Sequence, residues 1–270
     1  MVTGAASGLG RAIAVRLARD GWRIALADVD REGSRQTLAM VQQAGGSGRV
    51  ESLDVAQLDQ WSALRGRLAG DWEHLDLLVN NAGVCAAGEV GQMPAEDWRW
   101  LLAVNLHGAI HGCHALADWL KANPRGGYII NTASIAAFTS APGMAAYNVS
   151  KAGVMALSET LYSELKPHGV GVTVLCPGFF ESRLLHEGRF PDETFRRAAL
   201  AYACRSPLSA QQVADAAVRA MHKKRLYVVL APRARWFWYA KRLAPTTLLK
   251  IVGRVVAKYM AAARKEQRPC

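Results

Sequence analysis

This sequence predicts a doubly wound α/β fold, one seven-stranded parallel sheet covered by helices on both faces. Three observations predict it. Seven short β-branched or aliphatic runs alternate with longer stretches of helical period. A glycine-rich turn separates the first run from the first helix. The 270 residues are 51% hydrophobic, enough for one sizeable core rather than two small ones.

The apolar runs are 1–3, 23–27, 50–53, 75–80, 128–132, 170–176 and 226–230. The helical stretches between them are 8–20, 31–44, 57–70, 96–121, 147–166 and 209–223. Strands that alternate with helices form right-handed βαβ units, so the strands lie parallel and are buried on both faces. The first run is shorter than the five or six residues usual for a central strand. The sequence therefore predicts a short first strand or a start lying upstream. No internal repeat or interdomain linker is visible. The expected division is a domain over 1–232 and a C-terminal extension over 233–270.

Charge is uneven. The chain carries 33 Lys/Arg and 22 Asp/Glu, a net +11. From Arg219 onward there are 14 basic residues and one acid, Glu266, so the rest of the chain sums to −2. The basic character belongs to the C-terminal part, which makes nucleic acid an unlikely partner for the domain. Cys85, Cys113, Cys176, Cys204 and Cys270 are odd in number, scattered and without metal spacing. They read as reduced thiols in a cytoplasmic protein, with no disulfide framework and no zinc site. No leader peptide pattern and no uninterrupted apolar run of spanning length occur.

The turn reads Thr3-Gly4-Ala5-Ala6-Ser7-Gly8-Leu9-Gly10. Glycines there let the chain turn tightly and let a pyrophosphate approach main-chain N–H groups at a helix N-terminus. By itself such a turn is equally compatible with an ordinary βα connection. Asp28 strengthens the dinucleotide reading. It ends the second run about twenty residues on, where an acid can accept from ribose hydroxyls and repel a 2′-phosphate. Neither Ser7 nor Val29 is basic, so NAD is expected in preference to NADP; Arg11 and Arg31 are the cations nearby in sequence. Out of context, Asp28 would be read as a helix cap.

Further motifs follow in order. They are Asp54-Val55, Asn80-Asn81-Ala82-Gly83, Asn105 in Val-Asn-Leu-His-Gly, Ser134 in Thr-Ala-Ser, Tyr147-Asn-Val-Ser-Lys151, and Pro177-Gly178. In this order the chain resembles the short-chain dehydrogenase/reductase family from Val2 to about Leu230. The resemblance implies a Rossmann fold and an oxidoreductase acting on alcohols or ketones. It implies a cofactor site at Gly4, Ser7, Gly8, Leu9, Gly10, Asp28, Asp54, Val55, Asn81, Ala82, Gly83, Tyr147, Lys151, Pro177 and Gly178. It implies Asn105, Ser134, Tyr147 and Lys151 as catalytic residues. Where the family often has a threonine after Pro-Gly, this chain has Phe179-Phe180-Glu181-Ser182, and Ser182 takes that position.

The chemistry suits these residues. Reducing a ketone needs a hydride on carbon and a proton on oxygen, and the protein must supply the proton. Tyr147 is the candidate donor. Bringing a phenol from about 10 toward 7 needs about 4 kcal/mol in favour of the anion. One positive charge near 4 Å at an effective dielectric of 20 supplies about that. Lys151, one helical turn on, shares the helix face and could provide it. Ser134 would orient the substrate oxygen, and Asn105 would anchor a water linking Lys151 to solvent. Taken singly, each has a plainer reading: a packing pair, a loop cap, a helix amide. His107, His111 and His114 have helical spacing but no completing carboxylate, and read as helix residues near an interface, not as metal ligands.

Residues 179–207 mix aromatics with five arginines. By resemblance this is a lid over an apolar substrate, its arginines solvated rather than clamping an anion. Residues 246–262 put Leu248, Leu249, Ile251, Val252, Val255, Val256, Tyr259 and Met260 on one broad helical face and Lys250, Arg254 and Lys258 on the other. That composition suits an interfacial membrane helix, reached through the aromatic lead-in from 233. It equally suits a helix packed on its own domain. A homodimer or homotetramer is expected. The competing classes are a non-catalytic dinucleotide sensor and a membrane-surface scaffold.

Overall fold

The computed structural model describes residues 1–180, 183–191, 193–204, 206–230 and 234–265. Seven strands form one parallel sheet: β1 (Val2–Thr3), β2 (Arg23–Asp28), β3 (Ser47–Ser52), β4 (Leu77–Asn80), β5 (Tyr128–Thr132), β6 (Gly171–Pro177) and β7 (Tyr227–Leu230). Their order is β3-β2-β1-β4-β5-β6-β7. The chain crosses from one half to the other between β1 and β4. In such a sheet a crevice opens there, beyond the carboxyl ends of the strands. Each predicted run became a strand. β3 starts earlier than its apolar run because Ser47–Arg49 pair with Arg23–Ala25. β1 is as short as the sequence predicts.

Helices α1 (Gly8–Ala18), α2 (Arg31–Gln43) and α3 (Leu58–Ala69) follow the first three strands. The predicted helix over 96–121 is two, α4 (Ala95–Leu102) and α5 (Gly108–Lys121), joined by a π-helical turn at Ala103–His107. Then come α6 (Ala136–Thr139), α7 (Ala145–Leu165), α8 (Arg183–His186), α9 (Glu193–Cys204), α10 (Ala210–His222), α11 (Ala234–Leu243) and α12 (Pro245–Lys265).

Ile13 and Leu17 of α1 meet Val213 and Val218 of α10 on one face of the sheet. Trp61 and Leu64 of α3 meet Leu116 and Leu120 of α5 on the other. Each such fully buried side chain contributes roughly 1.5–3 kcal/mol. The period of 3.6 in these helices and the unbroken apolar runs of β4 and β5 follow from that two-sided burial. α10 opens with a capping box, Ser209 and Gln212 each bonding the other's backbone N–H.

The extension does not stand off as a free tail. Trp238 of α11 rests edge-on against Phe138, with ring centroids 5.1 Å apart, and is 4.9 Å from Tyr227. α12 packs against α9 and α6, with Leu248 and Ala263 buried. Part of its apolar face, around Leu248, packs on its own domain, while Leu249, Ile251 and Val255 stay exposed.

Candidate active site

The glycine turn wraps the carboxyl end of β1 because neighbouring backbone atoms leave no room for side chains. A Cβ on Gly4 would meet Ala82 Cα at 2.8 Å, and Gly4 has φ +64°. A Cβ on Gly10 would lie 2.0 Å from Gly4 O. Gly10 thus seats α1 on the turn and does not line the cavity. Ser7 precedes α1 without capping it. The first N–H groups of α1 therefore keep their capacity for an anion.

Thr3 fixes the facing segment. Its hydroxyl receives the N–H of Asn81 at 2.9 Å and of Ala82 at 3.0 Å. Asn81 Nδ2 returns a bond to Thr3 O at 3.0 Å. Asp28 stands at the end of β2, where Oδ2 accepts from Ala6 N at 2.9 Å and Oδ1 from Asp30 N at 3.0 Å. Arg11 is turned inward onto Ala6 O, Gly33 O (3.3 Å) and Thr37 Oγ1 (2.9 Å). Arg11 is thereby engaged within its own fold.

One cavity of about 690 Å³ runs along this crevice. Gly4, Ser7, Gly8, Leu9 and Asp28 line one end, with Asp54 and Val55 beside them. Asn81, Ala82 and Gly83 line its middle. Ser134, Tyr147, Lys151, Pro177 and Gly178 line the other end. Fourteen of the residues expected from sequence for cofactor binding thus face a single space. Ser182 lies outside the described residues.

Tyr147 and Lys151 sit on α7 one turn apart, with Lys151 Nζ 5.6 Å from the Tyr147 ring centroid. Lys151 Nζ donates to Thr132 O at 3.0 Å, at the end of β5. Burial lowers the Lys151 ammonium to about 8. Burial also pushes the Tyr147 phenol well above its ordinary value, opposed by a hydrogen bond with Ser134. The direct lowering of Tyr147 by Lys151 expected from the spacing does not prevail. Desolvation of both groups outweighs their separation-weakened attraction. Ser134 Oγ also donates to Pro177 O at 3.4 Å and accepts from Ala136 N at 3.1 Å.

Asn105 occupies the π-helical turn, and its amide is spent on structure. Oδ1 accepts from Val84 N at 2.7 Å, while Nδ2 donates to Val84 O at 2.9 Å and Ser150 Oγ at 3.3 Å. Asn105 is buried and lies behind the cavity wall. Asn105 thus braces the site in addition to the water-anchoring role expected of it from sequence. It holds the segment after Gly83 against α7, while Oδ1 keeps a second lone pair.

Sequence reasoning missed Cys85, which is 1% exposed and stands close enough to Tyr147 to raise its pKa. Burial pushes the Cys85 thiol up to about 12. Thr132, Met144 and Leu185 also line the site. No spacing signal marked them, since a wall residue needs only size and apolarity. The described arginines of this segment are paired. Arg183 meets Glu187 at 2.7 Å, and Arg189 meets Asp97 at 2.6 Å while lying 3.9 Å over the Trp100 ring. Arg196 and Arg197 meet Glu193 at 3.6 and 3.9 Å. His111 Nδ1 lies 3.2 Å from Val55 O, and its ring packs on His107.

Residues 1–191 match the family described as short chain dehydrogenase, and the chain belongs to that family. Among curated proteins it is 35% identical over 256 residues to the probable oxidoreductase EphD of Mycobacterium tuberculosis (strain H37Rv), covering 92% of this chain and 43% of that protein. The chain spans less than half the length of these EphD relatives. It is 30% identical over 209 residues to a 3beta-hydroxysteroid dehydrogenase of Mediterraneibacter gnavus, covering 77% of this chain and 75% of the relative. A short-chain dehydrogenase/reductase of Burkholderia phymatum, solved in complex with NAD, has a similar structure. Its TM-score is 0.80 at 32% identity, over 84% of this chain and 86% of that one. An alcohol dehydrogenase of Thermococcus sibiricus, solved with 5-hydroxy-NADP, gives a TM-score of 0.73 at 24% identity over 85% and 94% of the two chains.

Proposed function

We propose that this chain transfers a hydride between NAD(H) and a secondary alcohol or ketone with an apolar body. The observation that carries the reading is convergence. Ser134, Tyr147 and Lys151 line the same cavity as the glycine turn and Asp28. A bound dinucleotide supplies the hydride. Ser7, Gly8 and Leu9 meet its pyrophosphate at the start of α1, beside Gly4, with Gly10 holding that helix in place. Asp28 accepts from the adenosine ribose hydroxyls, between Asp54 and Val55. Asn81, Ala82, Gly83 and Lys151 face the second ribose, and Pro177 and Gly178, with Ser182 after them, face the nicotinamide.

In reduction, Tyr147 Oη gives its proton to the substrate oxygen as the hydride reaches the carbonyl carbon. In oxidation both move back. Ser134 donates to the substrate oxygen and aligns it with Tyr147. A phenol raised by burial keeps its proton at neutral pH, the state that reduction uses. Lys151, held near 8, shares its proton readily with the site. Asp28 and the inward engagement of Arg11 support NAD over NADP.

A panel of alcohols and ketones with NAD(H) and NADP(H), followed at the nicotinamide absorbance, tests the reading. NAD(H)-linked turnover at least tenfold more efficient than NADP(H) is expected. No turnover with either cofactor across small and large substrates sinks it.

The same reading includes a homodimer or homotetramer. Its support is the exposed Ile110 of α5 and Val149 and Tyr162 of α7, apolar positions that a second copy would cover. Light scattering at a monomer mass would end that part. A second reading adds peripheral contact with an anionic lipid surface. Trp236, Tyr239 and Leu243 of α11 are exposed beside Lys241 and Arg242. No described helix is long and apolar enough to cross a membrane. Equal flotation of wild type and Trp236→Ser/Leu243→Ser with anionic vesicles would remove it.

A further inference from the structure

We infer that α12 and the lid build a second, apolar chamber, which takes the hydrocarbon chain of the substrate. A space of about 160 Å³ lies behind the catalytic end of the main cavity. Cys85, Met144, Phe179 and Leu185 line both spaces. The two spaces therefore adjoin at these four residues. Phe195 and Ala199 of α9 form one wall, and Val252 and Val256 of α12 form the facing one. Among the described residues, no charged side chain lines the chamber.

The chemistry of the wall defines the ligand. A charged substituent driven into this space would lose its hydration against a lining that is apolar but for the Thr139 and Tyr259 hydroxyls and the Cys85 thiol. A saturated chain would lose only unfavourable contact with water. A substrate oxygen placed at Tyr147 and Ser134 directs one substituent past Cys85 and Phe179 into the chamber. Taking the ~30 Å³ that a water occupies in the liquid as a measure, the space holds about five methylene-sized groups. Ile251 and Val255 line it and are 45% and 43% exposed, so the chamber opens beside α12 and a longer chain can emerge there. The ligand class is a secondary alcohol or ketone bearing an unbranched alkyl chain.

This inference rests on the hydride-transfer reading, and its test separates the two. The full chain is assayed with NADH and straight-chain 2-alkanones from four to thirteen carbons. We expect kcat/KM to rise about fourfold per added methylene, then level once the chamber is filled. Val256→Trp and, on the opposite wall, Ala199→Phe fill the space from either side. Each is expected to lower the ratio of kcat/KM for 2-undecanone to that for 2-butanone at least tenfold. The ratio is internal to each protein, so a general loss of folded enzyme leaves it unmoved. A flat chain-length series, or an unchanged ratio in both variants, overturns the chamber while leaving hydride transfer standing. If the wild type turns over no ketone, the hydride-transfer reading fails. Calorimetric titration with 2-undecanone then decides the chamber. Binding to the wild type weakened at least tenfold in both variants supports it. No binding, or equal binding, overturns it.

Discussion

The two ends of the cavity are made of different materials. The dinucleotide end is main chain and fixed polar atoms: the turn around Gly4, the N-terminus of α1, the Thr3 hydroxyl against Asn81 and Ala82. The end at Tyr147 is mostly side chain, with Cys85, Met144, Phe179 and Leu185 beside Ser134 and Lys151. A site made of backbone admits few residues at each position, because an added methyl meets an immovable atom. A site made of apolar side chains admits many, provided volume and polarity are kept. Tyr147 stands at the seam and belongs to both ends.

The largest expected effect is at that seam. Tyr147→Phe removes the proton donor and should lower kcat by about 10²–10⁴-fold. Dinucleotide affinity, read by quenching of tryptophan fluorescence, should stay within a few-fold. Activity near wild type would mean that the two ends do not meet in one reaction. Next is the rigidity of the backbone end. Gly10→Ala places a methyl 2.0 Å from Gly4 O and should cost about 1–3 kcal/mol in urea unfolding, with weaker cofactor binding. A neutral result would show that the turn yields and would blur the contrast.

Cofactor choice sharpens it further. Asp28→Ser removes a charged acceptor, worth about 1.5–3 kcal/mol, and should lower kcat/KM for NAD about tenfold or more while NADP improves. An unchanged cofactor ratio would take Asp28 out of the ribose site.

The smallest expected effect concerns pH. Burial raises Cys85, Cys113 and Cys176 from 9 to about 12. Above pH 9 the unfolded chain releases protons that the folded chain keeps. Stability is thus full below pH 9 and falls as pH rises toward 12, at up to about 1.4 kcal/mol per unit for each thiol. Lys151 acts oppositely between about 8 and 10.5, where the unfolded chain holds the proton. The thiols outnumber it. Cys113→Ala, remote from the cavity, should flatten the fall between pH 9 and 10 by roughly one proton's slope. An unaltered slope would show that Cys113 ionises in the folded state.

The same contrast explains what the sequence made legible. Gly4, Gly8 and Gly10, Asn81-Ala82-Gly83 and the Tyr147/Lys151 pair could be read because backbone approach and fixed chemistry demand particular residues at particular spacings. The seven strands could be read because burial on both faces demands unbroken apolar runs. Cys85, Met144 and Val256 could not, since many residues would serve in a wall. The balance at Tyr147 also escaped the sequence. Spacing gives the distance to Lys151, but burial of the pair, which decides the direction of both shifts, depends on the folded surroundings. Asn105 was legible as a site residue. That its amide is spent on Val84 required the π-helical turn, which no periodicity announced.

That turn has a consequence for insertion and deletion. α4 and α5 run on through a turn that carries a surplus residue, which its i→i+5 bonds absorb, so the apolar pattern that follows is displaced by one position in the sequence. Before it, Leu101 points to Ala86 and Ala146; after it, Cys113 and Leu116 point to Trp61 and the sheet. Removing one residue between 103 and 107 would restore a regular α-helix, keep both flanking helices in place, and take away the turn that sets Asn105 against Val84 and Ser150. Loss of a single codon there would therefore do more harm than many substitutions in the walls.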